Sequence, residues 1–102
     1  MFRPIIATQL QQVIELAYKI NNAAQLDGTP KTLPAVIINF HGDTGWFDVF
    51  IYPEGRYQLP MRHIFKEVNL SKEIASEQLD EIIKILDLTY TNKKIKEKEY
   101  GE

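Results

Sequence analysis

Hydrophobic and polar positions alternate on both sides of a turn-forming segment in the middle of the chain. The stretch 34–55 reads PAVIINFHGDTGWFDVFIYPEG, with two runs rich in Val, Ile, Phe and Tyr around the sequence HGDTG. Two glycines in that turn allow positive φ, and the Asp and Thr side chains can bond their own backbone. The pattern predicts a β-hairpin with a four-residue loop at 42–45.

The period of two along each strand separates the hairpin residues into two faces. One face is wholly apolar, with the predicted cross-strand pairs Phe40–Phe47, Ile38–Val49 and Val36–Ile51. The other face is mixed, with the predicted pairs Ala35–Tyr52, Ile37–Phe50, Asn39–Asp48 and His41–Trp46. A slip of one residue would carry Asn39 and Asp48 into the core and push Phe40 and Phe47 out of it, so burial should enforce this register.

Segments with apolar residues at helical spacing lie on both sides of the hairpin. Residues 4–26 predict an amphipathic helix with the apolar stripe Ile6, Leu10, Val13, Ala17, Ile20 and Ala24, and with Gln9 among its solvated positions. A second helix is predicted from an N-cap at Ser76 to about Tyr90, with the stripe Leu79, Ile82, Ile83, Leu86 and Tyr90. The tail 92–102 should continue this helix with solvated lysines and then fray.

The remaining segments complete the predicted architecture. Residues 56–59 suggest a short third strand, whereas 61–71 fit helical spacing and an extended edge equally well and are therefore predicted to be irregular. The order is α-β-β-(β)-α, which predicts an α+β two-layer sandwich with two helices packed on a small antiparallel sheet. Residues 1–91 form a single domain in this interpretation, and 92–102 are a charged C-terminal tail.

Composition narrows the class of protein. The 102 residues contain 44% hydrophobic residues, no cysteine and a net charge of −2. Such a chain can bury a modest core, but it has no disulfide framework, no thiolate metal site and no general attraction to nucleic acid. No apolar run approaches the roughly 18 residues of a spanning helix, and the first residues do not resemble a signal peptide. We therefore expect a cytoplasmic protein without a membrane role.

Catalytic chemistry has little support in the sequence. His41, Asp43 and Asp48 are the residues that a small hydrolase-like or metal-dependent enzyme would use, but only His41 and Asp48 share a predicted face. Asn39 lies opposite Asp48 and offers that carboxylate a simple hydrogen-bond partner. We expect no catalytic residue, no metal ligand, no cofactor and no small-molecule substrate.

The mixed hairpin face is the candidate binding surface. Trp46, Phe50 and Tyr52 would act as contact anchors around Asp48 and Asn39, with His41 beside them, because large aromatic residues are enriched at protein interfaces. The occupant would be a partner protein or a second copy of this chain in a homodimer. In a third interpretation, residues 61–70 fold over this face and complete the core.

Two resemblances accompany this interpretation. The α-β-β-β-α order, with GWFDVF at 45–50 as a second strand, resembles the double-stranded RNA-binding domain, but SEQLDE at 76–81 would repel phosphate where that family carries lysines. The runs INFHG at 38–42 and FDVFIYPEG at 47–55 resemble the central hairpin of small uncharacterised proteins encoded by phages and prophages of Gram-positive bacteria. This resemblance implies an intracellular accessory protein and supplies no site residues.

Overall fold

The computed structural model describes residues 3–21, 34–53 and 63–100. Their elements follow the order α1 (Pro4–Asn21), β1 (Ala35–His41), β2 (Trp46–Tyr52), β3 (Ile64–Asn69) and α2 (Ala75–Tyr100). The strands form one antiparallel sheet in the order β1-β2-β3. Both helices pack on one face of it, called here the inner face, and this confirms the predicted α+β two-layer class.

The hairpin has the predicted register at all seven cross-strand positions, from Ala35–Tyr52 to His41–Trp46. The Gly45 N–H donates to the His41 carbonyl oxygen at 2.8 Å and closes the loop. Gly45 has a φ of +79°, a conformation that side chains with a Cβ rarely adopt. The loop therefore needs glycine at this position.

The third strand lies later in the chain than the sequence suggested. The prediction that 61–71 are irregular is wrong for 64–69, which form β3 because they pair antiparallel with β2. The strand predicted at 56–59 lies outside the described residues. In β3 the residues alternate between the two faces of the sheet, so Val68 is buried on the inner face while Glu67 is exposed on the opposite one.

The core fills the space between the inner face and the two helices. Its sheet residues are Val36, Phe47, Val49, Ile51 and Val68, and its largest helical residues are Ile6, Val13, Ile20, Leu79, Ile82 and Leu86. The prediction that Phe40 belongs to this core is wrong, since Phe40 is 53% exposed whereas its partner Phe47 is 1% exposed. Burial falls along β1 from the buried Ala35 and Val36 to the exposed residues next to the loop. Phe47 lies on the central strand, and its ring belongs to the core.

Helix α1 ends at a hydrogen-bonded clasp with β1. The Asn21 side chain accepts a bond from the Val36 N–H and donates one to the Val36 carbonyl oxygen, both at 2.8 Å. The amide thereby imitates the pairing of a neighbouring strand. The prediction extended this helix to residue 26, and residues 22–26 lie outside the described part of the chain.

The two helices run parallel, and polar side chains fix their alignment at both ends. Gln9 Nε2 donates to the Ser76 carbonyl oxygen and to Asp80 Oδ1, each at 2.9 Å. The prediction that Gln9 is solvated is wrong, because α2 lies beside α1 and covers the edge of its apolar stripe. Gln9 Oε1 is buried and has no hydrogen-bond partner within the described ranges.

At the other end of the helix pair, Lys93 is buried and its Nζ donates to the Lys19 carbonyl oxygen at 2.8 Å. A cation at the C-terminal end of α1 satisfies a carbonyl left open by the last turn and complements the helix dipole. The predicted continuation of α2 into the tail is confirmed, since the helix extends to Tyr100. The expectation of solvated tail lysines is wrong for Lys93.

The start of α2 differs by one residue from the prediction. The helix begins at Ala75, so Ser76 lies in the first turn and is not the N-cap. A tight turn precedes it, in which the Ala75 N–H donates to the Lys72 carbonyl oxygen at 3.2 Å. Ala75 is fully buried, and its small side chain lets the helix begin close to the core.

Candidate binding surface

The sheet face opposite the helices, called here the outer face, carries the candidate site. All three strands contribute to it, and the register brings Asp48 opposite Glu67 and Phe50 opposite Phe65. Its members are Ala35, Ile37, Asn39 and His41 from β1, Trp46, Asp48, Phe50 and Tyr52 from β2, and Phe65, Glu67 and Asn69 from β3.

Strand β3 widens the outer face and does not cover it. The hypothesis that residues 61–70 fold over the aromatic side chains is wrong for 64–69, which extend the sheet by one strand. Phe65 joins the outer face there, 43% exposed, and its ring lies 4.7 Å from that of Phe50. Residues 61 and 62 lie outside the described part.

An aromatic row crosses this surface. The centroid of the His63 ring lies 5.8 Å from that of Phe50 and 5.7 Å from that of Tyr52, and the ring planes are tilted. Tyr52 is only 8% exposed, so this expected contact anchor is not accessible at the surface. Phe50 is half-buried, and the accessible aromatic area comes from Phe65 and from Trp46, which is 39% exposed.

A polar cluster lies beside the aromatic row. Asn39 Nδ2 donates to Asp48 Oδ1 at 2.9 Å, which confirms the predicted role of Asn39, and His41 Nε2 lies 3.1 Å from Asp48 Oδ2. Both carboxylate oxygens of Asp48 therefore have a partner on β1. This arrangement fixes the Asp48 side chain, which is mostly buried, while His41 stays half-exposed.

A shallow depression of about 310 Å³ opens next to this cluster, lined by His41, Thr44, Trp46, Asp48 and Glu67. Two carboxylates thus lie across neighbouring strands beside an exposed indole ring. The sequence did not reveal Glu67 and Phe65 as site residues. The alternation in 64–69 was the only signal that could have done so, and it was balanced by an equally good helical spacing.

The depression contains part of the residue set that an enzyme was expected to use. Asp43 is exposed in the hairpin loop and does not line it, so only two of the three residues expected of an enzyme come together. Thr44 directs its hydroxyl at the backbone carbonyl of His41, at 3.5 Å, and not at the imidazole. Among the residues that the structure describes, no three His, Cys, Asp or Glu side chains are grouped to hold a metal ion.

The fold and this surface define a small α+β domain with an open, partly aromatic sheet face. No family model, curated protein or solved structure matches the chain. The resemblance to phage and prophage proteins therefore stays a prediction. Neither α1 nor α2, as far as they are described, combines the length and the hydropathy that crossing a membrane requires.

Proposed function

We propose that this chain is a non-enzymatic interaction protein whose outer face binds a partner protein. Trp46 and Phe65 are the main contact anchors, and the half-buried Phe50 lies next to Phe65. The supporting observation is that large aromatic side chains stay exposed on the sheet face that neither described helix covers. Such rings supply large contact areas at low entropic cost and are enriched among interface hot spots.

One of the two main anchors, Phe65, is already packed before any partner arrives. Phe65 packs against Phe50 across paired strands, and Asn39 and His41 fix Asp48 beside Trp46. Binding to side chains on a paired sheet loses less conformational entropy than binding to a loop. The outer face is therefore suited to a partner that docks without rearranging this domain.

A homodimer through the same face is the alternative proposal. Two copies facing each other would bring Asp48 and Glu67 into an interface that holds the same two acidic residues from the second copy. Like charges at an interface suppress association. The outer face is therefore better matched to a different protein.

Site-specific photocrosslinking tests the proposal in cells that produce the protein. A benzophenone amino acid replaces Phe65 in one variant and Tyr18 in the control variant, because Tyr18 is an aromatic residue of α1 that is 69% exposed. We expect a discrete crosslinked partner from position 65 and not from position 18. Equal crosslinking from both positions, or none from position 65, contradicts the proposal.

Binding of the purified partner then identifies the anchors. Phe65→Ser and Trp46→Ser should each weaken the partner's Kd about tenfold or more, as expected for hot spots. Tyr18→Ser should leave the Kd unchanged, and circular dichroism should show a native helix signal for all three variants. If position 65 crosslinks only to its own chain and sedimentation shows a dimer, the homodimer replaces the partner protein.

A further inference from the structure

The outer face brings two carboxylates side by side, and of the two only Asp48 has hydrogen-bond partners among the described residues. Asp48 and Glu67 are directly opposite each other on β2 and β3, and like charges in that position destabilise a sheet. Asp48 is held by Asn39 and His41 on its other side. Glu67 is exposed at the edge strand.

The nearest lysine of β3 does not compensate this charge. Lys66 belongs to the inner face, and its Nζ lies 2.9 Å from Glu81 of α2. The groups on β1 that contact Asp48 are the Asn39 amide and the His41 imidazole. Among the described outer-face residues, the acidic pair therefore borders the depression without a lysine or arginine beside it.

We infer that the depression receives an arginine side chain of the partner protein, an inference that rests on the proposed function. Trp46 supplies an exposed aromatic surface for the guanidinium plane, and Glu67 supplies a carboxylate at its edge. A cation between Asp48 and Glu67 also relieves their mutual repulsion. The partner surface is thus basic over the depression and apolar over Phe65.

Arginine fits these features better than lysine. A guanidinium is planar and more weakly hydrated, so it can stack on an indole and bond a carboxylate at the same time. A lysine ammonium is a compact, strongly hydrated charge that meets only the electrostatic requirement. The Trp46 ring therefore adds selectivity to the charge of Asp48 and Glu67.

Small-molecule probes test this inference without the partner. N-acetyl-arginine methylamide is titrated into the protein with ¹⁵N labelling, and its neutral isostere N-acetyl-citrulline methylamide is titrated in parallel. The chain has a single Trp, so the indole N–H signal of Trp46 is identified without assignment. We expect saturable shifts of that signal with the arginine probe, binding at least about threefold tighter than the citrulline probe, and weakening with added salt.

Charge-matched variants locate the site. Glu67→Gln should weaken the arginine probe about two- to fivefold, the range expected for an exposed ion pair, and should not change binding of the citrulline probe. Asp87→Asn, an exposed position of α2 in the helical layer, removes the same charge and should have no effect. Equal binding of both probes, or equal effects of the two variants, overturns the inference.

The two proposals can fail separately. If the arginine probe does not select the depression while position 65 still crosslinks a partner, the proposal of a partner-binding outer face is kept and the arginine inference is rejected. If the probe binds as expected while position 65 crosslinks nothing, the depression recognises arginine, and the proposal of a partner protein on the outer face is rejected.

Discussion

Removing the Asn21 side chain tests how α1 is joined to the sheet. In Asn21→Ala, both hydrogen bonds to Val36 are lost, and the Val36 N–H and carbonyl oxygen lose the group that imitates a neighbouring strand. Val36 is buried, so water reaches these atoms poorly after the substitution. The variant should therefore be less stable than the parent protein.

The size of the effect follows from the two bonds. A typical hydrogen bond contributes a net of about 0.5–1.5 kcal/mol to stability, so two of them give about 1–3 kcal/mol. Limited access of water to Val36 favours the middle of this range or above, because unsatisfied buried groups bear their full desolvation cost. We expect a loss of about 2 kcal/mol in the free energy of unfolding.

Urea denaturation followed by circular dichroism measures this loss. With a slope of about 1–2 kcal/mol per molar urea, the midpoint should fall by about 1–2 M. Asn92→Ala is the matched control, because Asn92 is an exposed helical residue of α2. The control should change stability by about 0.5 kcal/mol or less, since alanine favours the helix and no clasp is lost.

Amide hydrogen exchange gives a second and local measurement. In the parent protein the Val36 N–H is protected by Asn21 Oδ1, so its exchange should accelerate in Asn21→Ala beyond the general change of the other β1 amides. A loss of stability no larger than that of Asn92→Ala, together with unchanged exchange at Val36, would refute the reasoning. The junction between α1 and β1 would then depend on apolar packing alone.

Two further substitutions test the helix pair and the core. Lys93→Met removes the hydrogen bond to the Lys19 carbonyl oxygen and should lower the free energy of unfolding by about 1–2 kcal/mol in urea denaturation. The reason is that the lost charge-assisted bond outweighs the desolvation cost that the buried ammonium no longer bears. The exposed Lys84→Met should change the free energy of unfolding by about 0.5 kcal/mol or less. Phe47→Ala should cost about 3–5 kcal/mol, and Phe40→Ala less than half of that in the same assay, since only the Phe47 ring is fully buried; equal losses would contradict the observed asymmetry of the hairpin.

The hairpin shows what alternation in a sequence can predict. Its register was predictable because the wrong register would have buried Asn39 and Asp48 and exposed Phe47. No local interaction offsets the free-energy cost of that exchange. The hydrogen bond from Asn39 to Asp48 followed from the same register. Alternation did not predict the exposure of Phe40, because it assigns a face and does not tell how far the helices extend over it.

Other differences arise where the sequence is locally ambiguous or where the cause is distant. Strand β3 has apolar residues at spacings that suit a helix as well as a strand, and its pairing with β2 decides between them. Gln9 and Lys93 have polar partners on the other helix, and no local pattern reveals these contacts. The acidic pair was hidden for the same reason, since Asp48 meets Glu67 only through the sheet.

The polar contacts between the parallel helices also bear on how the protein is made. Gln9 and Lys19 belong to the first element of the described chain, but their partners Ser76 and Lys93 follow 67 and 74 residues later. During synthesis on the ribosome, α1 and the three strands emerge while the inner face still lacks the side chains of α2, among them Leu79, Ile82 and Leu86. Uncovered apolar strands are prone to aggregation. A nascent chain of this protein therefore exposes the apolar residues of its inner face until residues 75–93 have left the exit tunnel.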